Sequence, residues 1–298
     1  MHLVSYNIRY GLGRDSKYDL KRIADSVEGA DVIALQEVER FWQRSGMIDQ
    51  PQAIGDLLPS YYWVYGPAFD ADTSSTCTEN GKVINRRRQF GTMLLSKTPI
   101  LYSKLLGFNK IASTTCFNMH TGAIEGVVDT KVGPVRIYSL HLSSLTERER
   151  VIQIEQFLAH HRNWQKTGGM WSGNDKIADA SWAEEESMPA ATPHAILMGD
   201  FNTLPDSETY RLLSGHHEPD YGRVSYIDEF VDSHALASDD AAQTPYTYWT
   251  DELQRDQTKQ RLDYCFVSTG LADHVLHTRT DIKAEGSDHF PYWVEMDL

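Results

Sequence analysis

The segment of residues 195–205 constrains the fold most. An apolar run, Ala-Ile-Leu-Met, is followed by Gly-Asp-Phe-Asn-Thr-Leu-Pro. The run predicts a buried strand, and Pro205 with the Asp-Ser pair after it indicates that the strand stops and a helix begins. Asp200 and Asn202 are two residues apart, so on an extended backbone their side chains point to the same side. Such a carboxylate and amide suit a water, a hard cation or a phosphoryl oxygen, although Asp200 alone would also fit an ordinary turn.

Further segments have the same layout, an apolar strand with polar groups at one end. The polar residues in question are Asn7 after residues 3–6, Glu37 after 32–36, His141 after 135–140, Asp263 near the start of 261–267, and Asp288 and His289 before the last strand. Open α/β sheets place ligands beyond the ends of their strands. We therefore expect these side chains to share one cleft.

The ordered set of Asn7, Glu37, His141, Gly-Asp-Phe-Asn, Arg-Leu-Asp-Tyr and Ser-Asp-His resembles the endonuclease/exonuclease/phosphatase family. That family includes deoxyribonuclease I, the abasic-site endonucleases, inositol polyphosphate phosphatases and bacterial sphingomyelinases. The resemblance runs from Leu3 to about Glu295, and it is greatest to a bacterial branch of metal-dependent hydrolases. It implies a four-layer αββα sandwich, with two packed mixed or antiparallel sheets flanked by helices.

Periodicity by itself supports an α/β fold. Residues 18–27 and 146–161 each place apolar side chains on one face, which predicts two amphipathic helices. Residues 79–135 predict several strands joined by short turns.

The length of 298 residues and the lack of a linker, charge block or repeat predict one domain over residues 1–298. Residues 165–193 follow no helical or strand period and exceed the usual loop length, so we expect an insertion that is atypical of the family. It contains Trp171, Trp182 and three consecutive glutamates, Glu184, Glu185 and Glu186. Local surface packing and a lid or partner contact both remain open.

Charge and cysteine content bear on partners and compartment. The net charge of −14 argues against tight nucleic-acid binding, which depends on Lys and Arg, so a nucleic-acid partner is possible but not favoured. We expect a cytoplasmic protein, because the three cysteines are widely spaced. We also expect no membrane span and no signal peptide, because no apolar stretch reaches 18 residues and the first strand begins two residues after Met1.

The available metal ligands are carboxylate and amide oxygens, which favour Mg²⁺ or Mn²⁺. Glu37 is the expected metal ligand, although it would also fit a solvated residue after a strand. Asn7 beside it would help to place metal or phosphate. The resemblance implies that Asp288 supplies a second metal contact.

The remaining residues are candidates for the proton chemistry. Asp200 would orient and deprotonate the attacking water, and Asn202 would donate to a non-bridging oxygen. His289 would contact the phosphate, held by Asp263, and the alternative for Asp263 is a salt bridge with Arg261. The resemblance implies that His141 assists the leaving oxygen, although a histidine at a strand end can also be a core residue.

Substrate recognition is the least determined part. The candidates are Trp42, Arg44, Asp49, Trp249 and the cluster Arg86, Arg87 and Arg88, which is either a solvated turn or an anion clamp. Aromatic rings stack bases and sugars but also fill cores.

We expect a Mg²⁺- or Mn²⁺-dependent phosphoester hydrolase, a phosphodiesterase or phosphatase, that acts on a small or medium-sized phosphate ester by in-line attack of an activated water. The alternatives are a nuclease or DNA-repair endonuclease and a catalytically silent binding module.

Overall fold

The computed structural model describes residues 1–173, 182, 187–188, 191–237, 246–250 and 259–298. Among these residues, no helix has both the length and the apolar character needed to cross a membrane. Cys77, Cys116 and Cys265 are free thiols.

Six α-helices are formed by the described residues: α1 (Leu20–Val27), α2 (Gln50–Leu57), α3 (Glu147–Arg162), α4 (Trp164–Thr167), α5 (Glu208–Ser214) and α6 (Ser233–Ala237). The strands are β1 (His2–Asn7), β2 (Val32–Arg40), β3 (Tyr62–Asp72), β4 (Ser75–Thr76), β5 (Val83–Ile84), β6 (Arg87–Ser96), β7 (Ile100–Gly107), β8 (Gly122–Thr130), β9 (Gly133–His141), β10 (Ala195–Asp200), β11 (His216–Glu218), β12 (Gly222–Val224), β13 (Phe230–Asp232), β14 (Tyr248–Trp249), β15 (Lys259–Gln260), β16 (Asp263–Ser268), β17 (Val275–Thr280) and β18 (Tyr292–Met296).

Two six-stranded sheets form the framework. The first sheet has the order β17-β18-β1-β2-β6-β3, and the second has the order β13-β16-β10-β9-β8-β7. Each contains one parallel pair, β1 with β2 and β9 with β10, while the other pairs are antiparallel. Both sheets are therefore mixed.

Three apolar clusters show how the layers stack. Leu3 and Ala34 of the first sheet pack with Ile137 and Met198 of the second, which places one core between the sheets. A second cluster buries α1 and α2 against the outer face of the first sheet. A third buries α3 and α5 against the outer face of the second sheet. The predicted four-layer sandwich is confirmed.

The two predicted helices form with slightly different limits, which their caps explain. Asp19 accepts hydrogen bonds from the backbone N–H groups of Lys21 and Arg22, so α1 begins at Leu20 and not at residue 18. Thr146 accepts from the N–H of Glu149 and caps α3.

Much of the predicted insertion at residues 165–193, including Glu184, Glu185 and Glu186, lies outside the described residues. Its first residues complete α4, and the carbonyl of Gly168 accepts a hydrogen bond from Lys104 Nζ at 2.9 Å. Trp171 and Trp182 are both exposed, Trp182 by 86%.

Candidate active site

The ends of the two parallel strand pairs meet at one edge of the sandwich. Asn7 ends β1 in the first sheet, and His141 and Asp200 end β9 and β10 in the second. Asn7 Nδ2 donates to Asp200 Oδ2 at 2.8 Å and to Glu37 Oε1 at 3.2 Å. A single amide group thus bridges two carboxylates that belong to opposite sheets.

The sequence predicts that Glu37 lies at a strand end, but in the structure β2 continues to Arg40. The pairing of β2 with β6 instead slips between Leu35 and Val38, and Glu37 has a φ of +59° there. A β-bulge inserts an extra residue and re-aims a side chain. Gln36 bonds Ser139 Oγ between the sheets, while Glu37 lines the cleft.

Asp200 and Asn202 do converge, but not through the alternation of an extended strand. Asn202 has a φ of +49°, in the left-handed region, directly after β10 has ended. Its backbone N–H donates to Asp200 Oδ1 at 2.8 Å, and its Nδ2 donates to the carbonyl of Leu142 at 3.0 Å. The turn therefore fixes Asp200 and turns the amide back toward His141.

Gly199 permits the close approach of β9 and β10 beneath the site. A Cβ atom at this position would lie 1.9 Å from the carbonyl oxygen of Leu140. Only glycine fits here without moving one of the strands, and the pairing sets Asp200 opposite His141.

Asp200 Oδ2 stands between two imidazoles. It lies 3.7 Å from His141 Nε2 and 3.7 Å from His289 Nε2, and His141 Nε2 is also 3.9 Å from Glu37 Oε1. Both histidines are largely buried. Three potential proton carriers thus face one small volume.

Asp263 Oδ2 is paired with His289 Nδ1 at 2.8 Å, and neither residue is exposed by more than 6%. Burial raises the pKa of Asp263 to about 6. Burial also disfavours the imidazolium, but the carboxylates of Asp263 and Asp200 outweigh it and raise the pKa of His289 to about 10. At neutral pH the pair is an imidazolium next to a carboxylate.

The alternative pairing of Asp263 with Arg261 is wrong. Arg261 donates through Nη1 and Nη2 to the two carboxylate oxygens of Asp232, each at 2.7 Å, and both side chains are buried. This second ion pair joins β13 to the segment before β16 and leaves Asp263 to His289.

A cleft of about 520 Å³ is lined by Glu37, His141, Asp200, Asn202, Asp288 and His289. Asn7 and Asp263 are not part of the lining, but they hydrogen-bond residues that are. The lining residues that were not predicted include Arg9, whose Nε lies 3.4 Å from Asp288 Oδ2, and Tyr248, whose ring lies 4.9 Å from that of His289. Arg9 is two residues after Asn7 and Tyr248 is next to Trp249, so both lie beside residues that the sequence had singled out.

The donor set of the cleft fits a hard divalent cation. Glu37 Oε2 makes no hydrogen bond to the described residues, and Asp200 and Asp288 supply further carboxylate oxygens to the same cleft. Asn7 differs from expectation, since its Oδ1 accepts from the N–H of Arg9 and its Nδ2 holds the two carboxylates. Ligand atoms of Asp200, Asp263 and His289 also lie within 4.8 Å of one another, and this group could bind a metal, although His289 Nδ1 is already engaged by Asp263.

The expected recognition residues separate into two groups. Arg44 lines the cleft, whereas Trp249 stacks on Arg14 outside its lining and Asp49 caps α2. The anion clamp expected from three arginines is not formed: Arg87 pairs with Asp70 at 2.7 Å, and Arg86 and Arg88 stand over Phe41 and Trp42. Arg86 directly precedes β6, and Arg87 and Arg88 are its first two residues. Their side chains contact neighbouring side chains, and none of the three lines the cleft.

Comparisons with known proteins agree with this architecture. The model of the "Endonuclease/Exonuclease/phosphatase family" matches residues 4–289. Among solved structures, a mannosyl-6-phosphatase from Bacteroides thetaiotaomicron is similar, with a TM-score of 0.62, 18% identity and 100% of both chains covered. A truncated Caenorhabditis elegans TDP2 has a TM-score of 0.58 and 17% identity, with 98% of this chain and 95% of that chain covered. The human Nocturnin catalytic domain with bound sulfate has a TM-score of 0.54 and 19% identity, with 99% and 93% covered. A search of curated proteins gave no match.

Proposed function

The chain belongs to the endonuclease/exonuclease/phosphatase family, and from this premise we propose that it hydrolyses phosphoesters with Mg²⁺ or Mn²⁺. One observation carries the proposal: Asp200 Oδ2 is held by Asn7 at 2.8 Å and lies 3.7 Å from the imidazoles of both His141 and His289. A base, two imidazole rings and a Glu37 oxygen that no described residue hydrogen-bonds therefore meet in one cleft.

Glu37 and Asp288 would hold the cation, and Asn7 would keep Glu37 and Asp200 in place. When bound, Mg²⁺ or Mn²⁺ neutralises charge on the phosphoryl oxygens. Asp200 takes the proton of the attacking water. It suits this task because hydrogen bonds from Asn7 and from the N–H of Asn202 fix both of its oxygens.

The two histidines would act on different oxygens of the reacting phosphate. His289, kept protonated by Asp263, donates through Nε2 to a non-bridging oxygen as charge develops there. His141, protonated on Nε2, would give that proton to the leaving oxygen. Asn202 Nδ2 lies 3.2 Å from this nitrogen and can donate a hydrogen bond to it once the proton has been transferred. Attack by water in line with the leaving group needs no covalent intermediate.

Several observations favour a compact substrate. The cleft of about 520 Å³ is within the range of small-molecule sites, roughly 300–1,000 Å³. The net charge of −14 and the absence of Arg86, Arg87 and Arg88 from the cleft lining both weaken the case for a long duplex. The similarity to a mannosyl-6-phosphatase makes sugar phosphates the first compounds to test.

The test is a panel of phosphoesters assayed with Mg²⁺, Mn²⁺ or EDTA: sugar phosphates, nucleotides, inositol phosphates, lipid head-group esters, bis-p-nitrophenyl phosphate and plasmid DNA. We expect turnover of at least one small ester that EDTA abolishes and Mg²⁺ or Mn²⁺ restores. Rapid plasmid cleavage with a slope of log activity against log salt near −0.9 per phosphate contacted would instead identify a nuclease. Saturable binding without any turnover would identify a silent binding module.

A further inference from the structure

Arg44 is a cleft residue to which the proposed mechanism gives no role. It follows β2 and lines the same cleft as Glu37 and His141, with 37% of its side chain exposed. Its guanidinium lies between two aromatic rings, with Cζ 3.8 Å from the centroid of Tyr10 and 4.5 Å from that of Trp42. Stacking fixes the plane of the guanidinium group.

The buried carboxylate of Glu39 fixes the rotation of the Arg44 guanidinium within that plane. Glu39 is fully buried, and its Oε2 accepts from Arg44 Nε at 3.1 Å and from Nη2 at 2.8 Å. Gln50 holds the two residues that contact Arg44. Its Oε1 accepts from the N–H of Glu39, and its Nε2 donates to the carbonyl of Tyr10. Arg44 Nη1 makes no hydrogen bond to the described residues, so one edge of a rigidly held guanidinium has its donors unused.

The backbone around this stack is strained in a way that fits a ligand site. Arg9 and Tyr10 have φ values of +43° and +45°, although neither is a glycine. Left-handed residues of this kind are energetically unfavourable and concentrate where a site must be held in one shape. Here the strain sets Arg9 against Asp288 and Tyr10 over Arg44.

Resting on the proposed function, we infer that Arg44 binds a second anionic group of the substrate, a phosphate or a carboxylate, beside the phosphate that is hydrolysed. The two positions lie near each other, because the ring of Phe90 is 5.9 Å from Arg44 Cζ and 6.3 Å from the ring of His141. A substrate of the size of a sugar bisphosphate spans such a gap. The planar donor edge suits oxygen anions that accept hydrogen bonds.

The experiment compares three ligands: glucose 6-phosphate, glucose 1,6-bisphosphate and 6-phosphogluconate, which adds a carboxylate in place of a second phosphate. Their affinities are measured by calorimetry in Mg²⁺ with Asp200→Asn, and their hydrolysis with the otherwise native protein. We expect the bisphosphate or the carboxylate compound to bind roughly 10-fold or more tightly than glucose 6-phosphate. Arg44→Gln should reduce this preference to near one, and the compound that loses more identifies the anion.

Arg87→Gln is the matched control, because Arg87 is an arginine outside the cleft lining and should leave the preference unchanged. Glu39→Gln keeps an acceptor but removes the charge that fixes Arg44. It should therefore reduce the binding preference in part and raise KM for the preferred compound. A melting temperature within a few degrees of wild type is required of each variant, with Arg44→Lys as the substitute if Arg44→Gln fails to fold. Equal affinities, or a preference that survives in the Arg44 variant, overturns the inference. A preference in binding together with no turnover of any ester in the phosphoester panel would overturn the proposed function and leave the anion subsite standing.

Discussion

Asp263→Asn tests how His289 is kept ready for catalysis. The substitution preserves size and one acceptor at a position that is completely buried, and it removes the charge that lies 2.8 Å from His289 Nδ1. The pKa of His289 should fall, because burial lowers it and Asp263, the largest of the influences that raise it to about 10, no longer carries a charge. The imidazolium loses its main support.

The size of the effect follows from that contact. A hydrogen bond to a charged group contributes about 1.5–3 kcal/mol, which corresponds to a fall in kcat of roughly 10- to 150-fold. Melting temperature should fall less than in Asp232→Asn, because His289, unlike Arg261, can lose its proton once the partner charge is gone. The alkaline limb of the pH profile of kcat/KM should move to lower pH, since His289 now loses its proton earlier.

The assay is kcat and kcat/KM against pH on the best substrate of the panel, together with the Mg²⁺ concentration for half-maximal activity. Asp297→Asn, an exposed acid paired with Lys131, serves as the control and should match wild type. A kcat within threefold of wild type and an unmoved alkaline limb would refute the assignment of His289 as a cationic donor. A large rise in the Mg²⁺ requirement would instead indicate that Asp263 is a metal ligand.

Two further predictions concern the framework of the site. Gly199→Ala should abolish soluble expression or sharply lower the melting temperature, because its Cβ would lie 1.9 Å from the carbonyl oxygen of Leu140; a normal melting curve would contradict the close packing of β9 and β10. Asp232→Asn should cost about 3–5 kcal/mol of unfolding free energy at pH 7 by leaving Arg261 buried without its partner, as measured by urea denaturation. Burial alone would raise the pKa of Asp232, but Arg261 holds it below its ordinary value of 3.8, so the stability it contributes is present above that pH and is lost as pH falls through the lowered folded-state pKa. The difference between wild type and variant should therefore shrink in strong acid, and a difference independent of pH would contradict the ion pair.

The sequence predicted an α/β fold because strand and helix periodicity are local properties, whereas the four layers were implied by the family resemblance. It also predicted which polar residues meet, since Asn7, His141, Asp200 and Asp263 all stand at strand ends. The prediction for Glu37 was less accurate, because a bulge inside a long strand leaves no mark in apolar periodicity.

Contacts that depend on packing between distant segments could not be predicted from the sequence alone. The pairing of Arg261 with Asp232 instead of Asp263 depends on how β13 lies beside β16. The cluster of arginines looked available to a ligand, but Asp70 on the neighbouring strand binds Arg87. Likewise, Tyr248 joins the site only because its backbone pairs with that of His289.

The most direct test of the central claim is the Mg²⁺ dependence of hydrolysis for wild type, Glu37→Gln and Asp200→Asn on the best small substrate. Glu37→Gln should raise the Mg²⁺ concentration needed for half-maximal activity and lower activity on the order of 10³-fold at limiting metal. Asp200→Asn should lower kcat by a similar factor with little change in that concentration, because Asp200 acts on the water. Full wild-type activity in EDTA, or unchanged activity in both variants, would contradict the claim that this cleft is a metal-dependent phosphoester hydrolysis site.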